Sequence, residues 1–226
     1  MAKRKSPDGR STSSLIQSAH IGNNAELFPS ILRLHVPKGS VIADVTYGKG
    51  VFWNNVNLEE NEYTLNATDI ENGVDCRDLP YDDESLDALV FDPPYMEGFY
   101  RDKDDQKAGS KSHSQISEYY SSGNESGSVN GKKWQEAVHE MYFQGSIEAL
   151  RVIKNKGIFI VKCQDAVSAN KQHMTHVEII NFCRKIGFYA KDLFVLVRHG
   201  KASASTIRTQ KHARKNHSYF LVFQKL

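Results

Sequence analysis

Val41-Ile42-Ala43-Asp44-Val45-Thr46-Tyr47-Gly48-Lys49-Gly50 is the stretch on which the fold turns. Its first five residues read as a short apolar strand with Asp44 as its next-to-last member. The two glycines, one residue apart, let the backbone turn tightly and come close to a ligand. Val51–Val56 then reads as the start of a helix. A strand entering a glycine turn and then a helix is the opening unit of an open α/β sheet, which binds ligands beyond the carboxyl ends of its strands.

The same alternation continues on both sides. Tyr63–Asp69 reads as a second strand ending on an acid, and Ala88-Leu89-Val90-Phe91 as a third. Gly157–Cys163 (GIFIVKC) is strongly β-forming, and Leu193–Arg198 and Tyr219–Gln224 read as the last two strands. Between them, Trp134–Val152 has helical spacing (Ala137, Met141, Phe143, Ile147, Leu150), and His176–Ile186 is an amphipathic helix closed by Gly187. Two short helical pieces are expected upstream, at 14–17 and 27–34, before a turn at Pro37–Ser40. Strands separated by helices imply a mostly parallel sheet. Two final strands without a helix between them imply an antiparallel hairpin at one edge.

The 226 residues suit one α/β domain over 15–226, preceded by a disordered basic tail at 1–14. The segment 97–133 is rich in Gly, Ser, Lys and Asp and reads as a long mobile loop. The net charge of +2 does not by itself argue for nucleic acid, but its distribution is suggestive. Lys3, Arg4, Lys5 and Arg10 mark one end, and Arg208, Lys211, Arg214 and Lys215 mark the other, where they can meet phosphates. Cys76, Cys163 and Cys183 show no CxxC pattern, so neither a metal site nor a disulfide framework is expected. With no apolar leader and no run long enough to span a membrane, a soluble cytoplasmic protein is expected.

Asp69 closes the strand after the glycine turn, where a carboxylate can accept both hydroxyls of a ribose. Gly50 is followed by Val51-Phe52-Trp53 rather than a third glycine, which disfavours a nicotinamide or flavin. Asp75-Cys76-Arg77-Asp78 follows, in a loop where an acid can bond an adenine amino group.

Val90-Phe91-Asp92-Pro93-Pro94-Tyr95 resembles motif IV of the amino-methyltransferases that act on DNA adenine N6 or cytosine N4, a motif some RNA base methyltransferases share. Val45–Gly50 is similar to their cofactor motif, with Thr46 or Tyr47 in place of the usual first glycine. Leu150–Gly157 and Asn216–Phe223 resemble the family's helix-turn-strand after the catalytic loop and its last strand. The resemblance spans about residues 41–226, with Asp92–Tyr95 its sharp part. It implies a Rossmann-like class I methyltransferase fold and S-adenosyl-L-methionine as cofactor, held by Asp44, Thr46, Gly48, Gly50, Asp69, Asp75 and Cys76. Transfer is assigned to Asp92, Pro93, Pro94 and Tyr95.

The chemistry fits those four residues. An exocyclic amino nitrogen is a poor nucleophile and must be held in line with the methyl group. Asp92 can accept its hydrogen and stabilise the developing positive charge. The Pro93 carbonyl can take the second hydrogen, and Tyr95 can stack on the base, flipped out if it comes from a duplex. Tyr100 and Arg101 in the 97–133 loop, Lys162 at a strand end, and Arg208, Lys211 and Arg214 are the expected substrate contacts.

DNA is the preferred partner, adenine N6 ahead of cytosine N4, with RNA (guanine N2 of tRNA, for example) as the alternative. A non-catalytic nucleic-acid-binding protein of the same fold is a third reading. Only the loop and the basic ends are available for reading sequence, which implies relaxed specificity, a specificity partner or a homodimer.

Overall fold

A computed structural model describes residues 15–95, 132, 134–200 and 209–226. The expected tail at 1–14, nearly all of the 97–133 loop, and Tyr100, Arg101 and Arg208 lie outside the described residues. The elements run β1 (Ala19–Ile21), α1 (Asn24–His35), β2 (Val41–Asp44), a 3-10 turn (Val51–Asn55), β3 (Thr64–Ala67), a second 3-10 turn (Ile70–Asn72) and β4 (Leu86–Phe91). They continue with α2 (Gln135–Val152), β5 (Ile153–Cys163), β6 (Ala166–Ser168), β7 (Lys171–His173), α3 (Thr175–Ile186), β8 (Phe188–Val197) and β9 (His217–Lys225).

Seven strands form one sheet in the order β1-β8-β9-β5-β4-β2-β3. β3, β2, β4 and β5 are mutually parallel, and β9 runs antiparallel to both β5 and β8. This is the mostly parallel Rossmann-like arrangement. The antiparallel pair is present, but β9 is interior and β1 adds a parallel strand outside β8, so the hairpin is not at the edge. A small separate hairpin, β6-β7, follows β5.

Both faces of the sheet are covered, and the period-2 alternation of the strands sorts their side chains between two cores. Ala43, Leu89, Phe91, Phe159, Val161, Leu221 and Phe223 pack with α2 and α3 on one face. Ile42, Ala88, Val90, Ile158, Ile160, Phe220 and Val222 pack with α1 and the first 3-10 turn on the other. Central strands buried on both sides are near-continuous apolar runs, as β4 and β5 are.

Two helical expectations are corrected. Residues 15–17 are not helical; they lead into β1, where Ala19–Ile21 pairs with Val195–Val197. The helix expected at Val51–Val56 is a short 3-10 turn, Val51–Asn55, which Val56 ends in an extended conformation. No described helix is long and apolar enough to cross a membrane.

α1 begins with a reciprocal cap. Glu26 N–H donates to Asn23 Oδ1 (3.1 Å), and Asn23 N–H donates to the Glu26 carboxylate (3.1 Å). Pro29 inside the helix has no N–H for the Ala25 carbonyl, and Asn55 Nδ2 donates to that carbonyl instead at 3.1 Å. One side chain thus repairs the helix and fastens the 3-10 turn to it. Asn55→Ala leaves a partly buried carbonyl unpaired and is expected to cost about 1–2 kcal/mol, read as a lower urea midpoint at unchanged slope.

Candidate active site

The candidate site lies at the carboxyl ends of β2, β4 and β5. Asp44 ends β2 with 3% exposure, and its carboxylate accepts Trp53 Nε1–H at 2.7 Å and Thr46 N–H at 3.1 Å. Burial pushes it up to about 7, against the pull of those two hydrogen bonds. Asp44 therefore organises the turn from inside. Gly48 and Gly50 are left-handed (φ 51° and 65°). A Cβ on Gly50 would strike the Tyr47 ring, whereas one on Gly48 would meet open space. Gly48 N–H donates to Asp69 Oδ2 at 2.9 Å, and Asp69 Oδ1 accepts Glu71 N–H at 3.1 Å. The expected ribose acid thus stands beside the glycine turn and is oriented by it.

The next loop carries Asp75 and Cys76. The Asp75 carboxylate is clasped by Arg77, with Nη2 at 2.6 Å and Nε at 2.9 Å. Cys76 follows, its side chain turned into the core. The thiol is buried against Met141 Sδ at 3.7 Å and pushed up to about 12 by burial, as an apolar core residue would be.

The two halves of the site meet at Thr46, whose Oγ1 accepts Asp92 N–H at 2.7 Å. Asp92 Oδ1 is buried and has no hydrogen-bond partner among the described residues. Burial pushes the Asp92 carboxyl up to about 6, with the Lys162 and Arg198 cations pulling the other way. Pro93 is buried, and Tyr95 is partly buried against the core of the α2–α3 face. Arg198 Nη2 donates to Tyr95 Oη at 3.0 Å, fixing the phenol.

Lys162 is 1% exposed, not at the surface as a strand-end lysine usually is. It falls on the α1 side of β5, among apolar strand neighbours. Its Nζ donates to Asn24 Oδ1 at 2.5 Å and lies 4.5 Å from the centre of the Phe220 ring. Burial pushes its amine down to about 8, opposed by the charge of Asp92.

Beyond β5, Asp165 Oδ1 lies 2.6 Å from His176 Nδ1, and Tyr219 Oη donates to Asp165 Oδ2 at 3.4 Å. The Tyr219 and His176 rings stack at 4.2 Å, forming a stiff wall at the strand end. Lys211 and Arg214 are exposed on the segment entering β9, whose first residue pairs with the last of β8. No hydrogen bond or ion pair among the described residues joins them to Asp92.

The structure thus gathers Asp44, Thr46, Gly48, Gly50 and Asp69 into one half of the site, and Asp92, Tyr95 and Lys162 into the other. Arg198, Asn24 and Trp53 were missed. Arg198 had a signal, as a cation directly after a strand. Asn24 and Trp53 had none, because their partners are 138 and 9 residues away in sequence and meet them only in the fold.

No family model and no curated protein matches the chain. Solved structures do. TrmN from Thermus thermophilus matches with a TM-score of 0.51 at 13% identity, over 88% of this chain and 48% of that one. A candidate DNA modification methylase, also from Thermus thermophilus, matches at 0.41 and 17% identity, over 67% and 50%. A SAM-dependent methyltransferase from Methanosarcina mazei matches at 0.45 and 11% identity, over 87% and 97%. The chain spans about half the length of the first two. The likeness to TrmN establishes the shared fold.

The desolvated Asp92 carboxyl gives a stability test. Its folded value of about 6 lies above its ordinary 3.8, so the native state holds the proton more tightly. Its contribution is most favourable below about pH 4 and is lost as pH rises towards 6. Asp92→Asn should therefore lose less stability than the wild type between those two values, measured by denaturant titration across pH.

Proposed function

We propose that this protein methylates an exocyclic amino group of a nucleic-acid base, using S-adenosyl-L-methionine, with DNA as substrate and adenine N6 preferred to cytosine N4. The observation that carries the proposal is the unpartnered buried oxygen of Asp92, inside Asp92-Pro93-Pro94-Tyr95 and tied through its own N–H to the glycine turn. A buried carboxylate oxygen without a donor is costly unless a ligand supplies one.

The residues present fit the cofactor. Gly48 opens onto free space where a side chain would stand, and Asp69 keeps lone pairs beyond its two backbone bonds. Gly48, Gly50 and Asp69 would hold it, and it would supply a methyl group activated on a sulfonium.

Asp92 Oδ1 accepts one amino hydrogen of the base, orients the nitrogen lone pair and offsets the positive charge that grows there. The Pro93 carbonyl takes the second hydrogen. Tyr95, its hydroxyl held by Arg198, stacks on the base, an interaction worth about 1–3 kcal/mol. The nitrogen gains a methyl group and gives up one proton, which passes to Asp92. A carboxyl near 6 can hold that proton briefly and release it to solvent at neutral pH. Lys162 helps keep Asp92 ionised before transfer.

The proposal is tested by incubating the protein with labelled cofactor and double-stranded DNA, single-stranded DNA or tRNA, then digesting and weighing the modified nucleoside. N6-methyladenine or N4-methylcytosine is the expected product; N2-methylguanine overturns the DNA reading. Asp92→Ala should lower transfer by about 100-fold or more while cofactor binding persists. Lys162→Met removes the cation opposing the upward shift of Asp92. The acidic limb of kcat/KM should then move to higher pH, measured from pH about 5 to 9. An unmoved limb separates Lys162 from the chemistry.

A further inference from the structure

At the opposite end of the sheet from Asp92, the amino-terminal ends of β2, β5 and β8 border an open hollow of about 400 Å³. That volume suits a small ligand. Its charged lining is uneven: Lys38, Lys154, Lys156 and Lys191 against Asp87 alone.

Asp87 does not neutralise the set. It is held by Lys154 Nζ at 2.7 Å and also accepts Val41 N–H at 2.8 Å. Lys38 and Lys191 donate only to neutral oxygens, the Glu60 carbonyl at 3.1 Å and the Gln224 amide at 3.4 Å. Lys156 is exposed at a left-handed turn (φ 66°) and makes no ion pair among the described residues. Among the described residues, three cations therefore face the cavity without a counter-charge.

A second observation points the same way. His35 lines the cavity with its side chain 6% exposed. Its Nε2 lies 3.1 Å from Asp192 Oδ2, and its Nδ1 is buried with no partner among the described residues. Burial holds the free imidazole below its ordinary value, against the pull of Asp192; an anionic oxygen reaching Nδ1 would favour the doubly protonated ring, which donates through both nitrogens.

We infer that this cavity binds the polyphosphate group of a small phosphorylated molecule. Lysine ammonium groups are compact point charges suited to phosphate oxygens. His35 is the only aromatic ring among the described lining residues, so the cavity reads charge rather than a stacked base. The length of the central strands separates it from the Asp92 rim, so a base at that rim does not fill it.

The test is calorimetric titration of the whole chain with inorganic tripolyphosphate at fixed ionic strength, without cofactor. Saturable one-to-one binding is expected, weakened about tenfold or more in Lys156→Glu/Lys191→Glu. A control reversal on exposed lysines elsewhere, Lys171→Glu/Lys185→Glu, should change it less than about twofold. Both lysines of the test pair are exposed, and melting curves confirm that each variant folds; Lys191→Ala alone should give a smaller loss in the same direction. Absence of saturable binding, or equal loss in test and control, overturns the site. Displacement of tripolyphosphate by a short single-stranded oligonucleotide at equal phosphate concentration overturns the small-molecule assignment in favour of a nucleic-acid backbone.

Discussion

The bond from Asp92 N–H to Thr46 Oγ1, 2.7 Å long, is the constraint on which the site rests. Two neighbouring parallel strands end beside each other, and their outgoing loops would otherwise be independent. One hydroxyl at the end of β2 fixes the main chain leaving β4. The Asp92 carboxylate and the glycine turn, to which the proposed function gives substrate and cofactor, therefore keep one relative position. Such preorganisation is worth most where charge develops during reaction, because nothing then has to reorganise.

Around that bond the protein keeps several ionisable groups in a poorly solvated rim. Asp44 is pushed up to about 7 and Asp92 to about 6, both chiefly by burial, while burial pushes Lys162 down to about 8. Each costs folding free energy relative to an apolar residue of the same shape. Asp44 offsets its cost through Trp53 and the turn, and Lys162 through Asn24 and the Phe220 face. Asp44 has both oxygens bonded, whereas Asp92 keeps one without a partner among the described residues, the asymmetry on which the proposed function rests.

The sequence exposed the architecture because apolar runs and glycine turns are local signals. β2, β4, β5, α2 and α3 could be read from periodicity, with Asp92–Tyr95 and the Gly48–Gly50 turn placed between them. Pairing information was less accessible. β1 is three residues long and is a strand only because β8 offers it an edge. β6-β7 turns through Ala169 and Asn170, both left-handed, and alanine there gives no warning. The burial of Lys162 could not be read at a strand end, because the apolar face it enters is built from α1 and β9. Cys76 sat beside a plausible ligand loop, yet its thiol belongs to the core that α2 closes.

β9 runs against its neighbours, and this shapes the rim as much as the sheet. In a purely parallel sheet every connection must travel the full depth of the fold before the next strand begins. Reversing one strand lets the chain leave β8 and enter β9 on the same side. Residues 198 and 217 are thereby held at the mouth of the site without any helix to carry them. Both ends of the connection are thus anchored by the β8–β9 pairing itself, on the side of the sheet where the proposed substrate would enter.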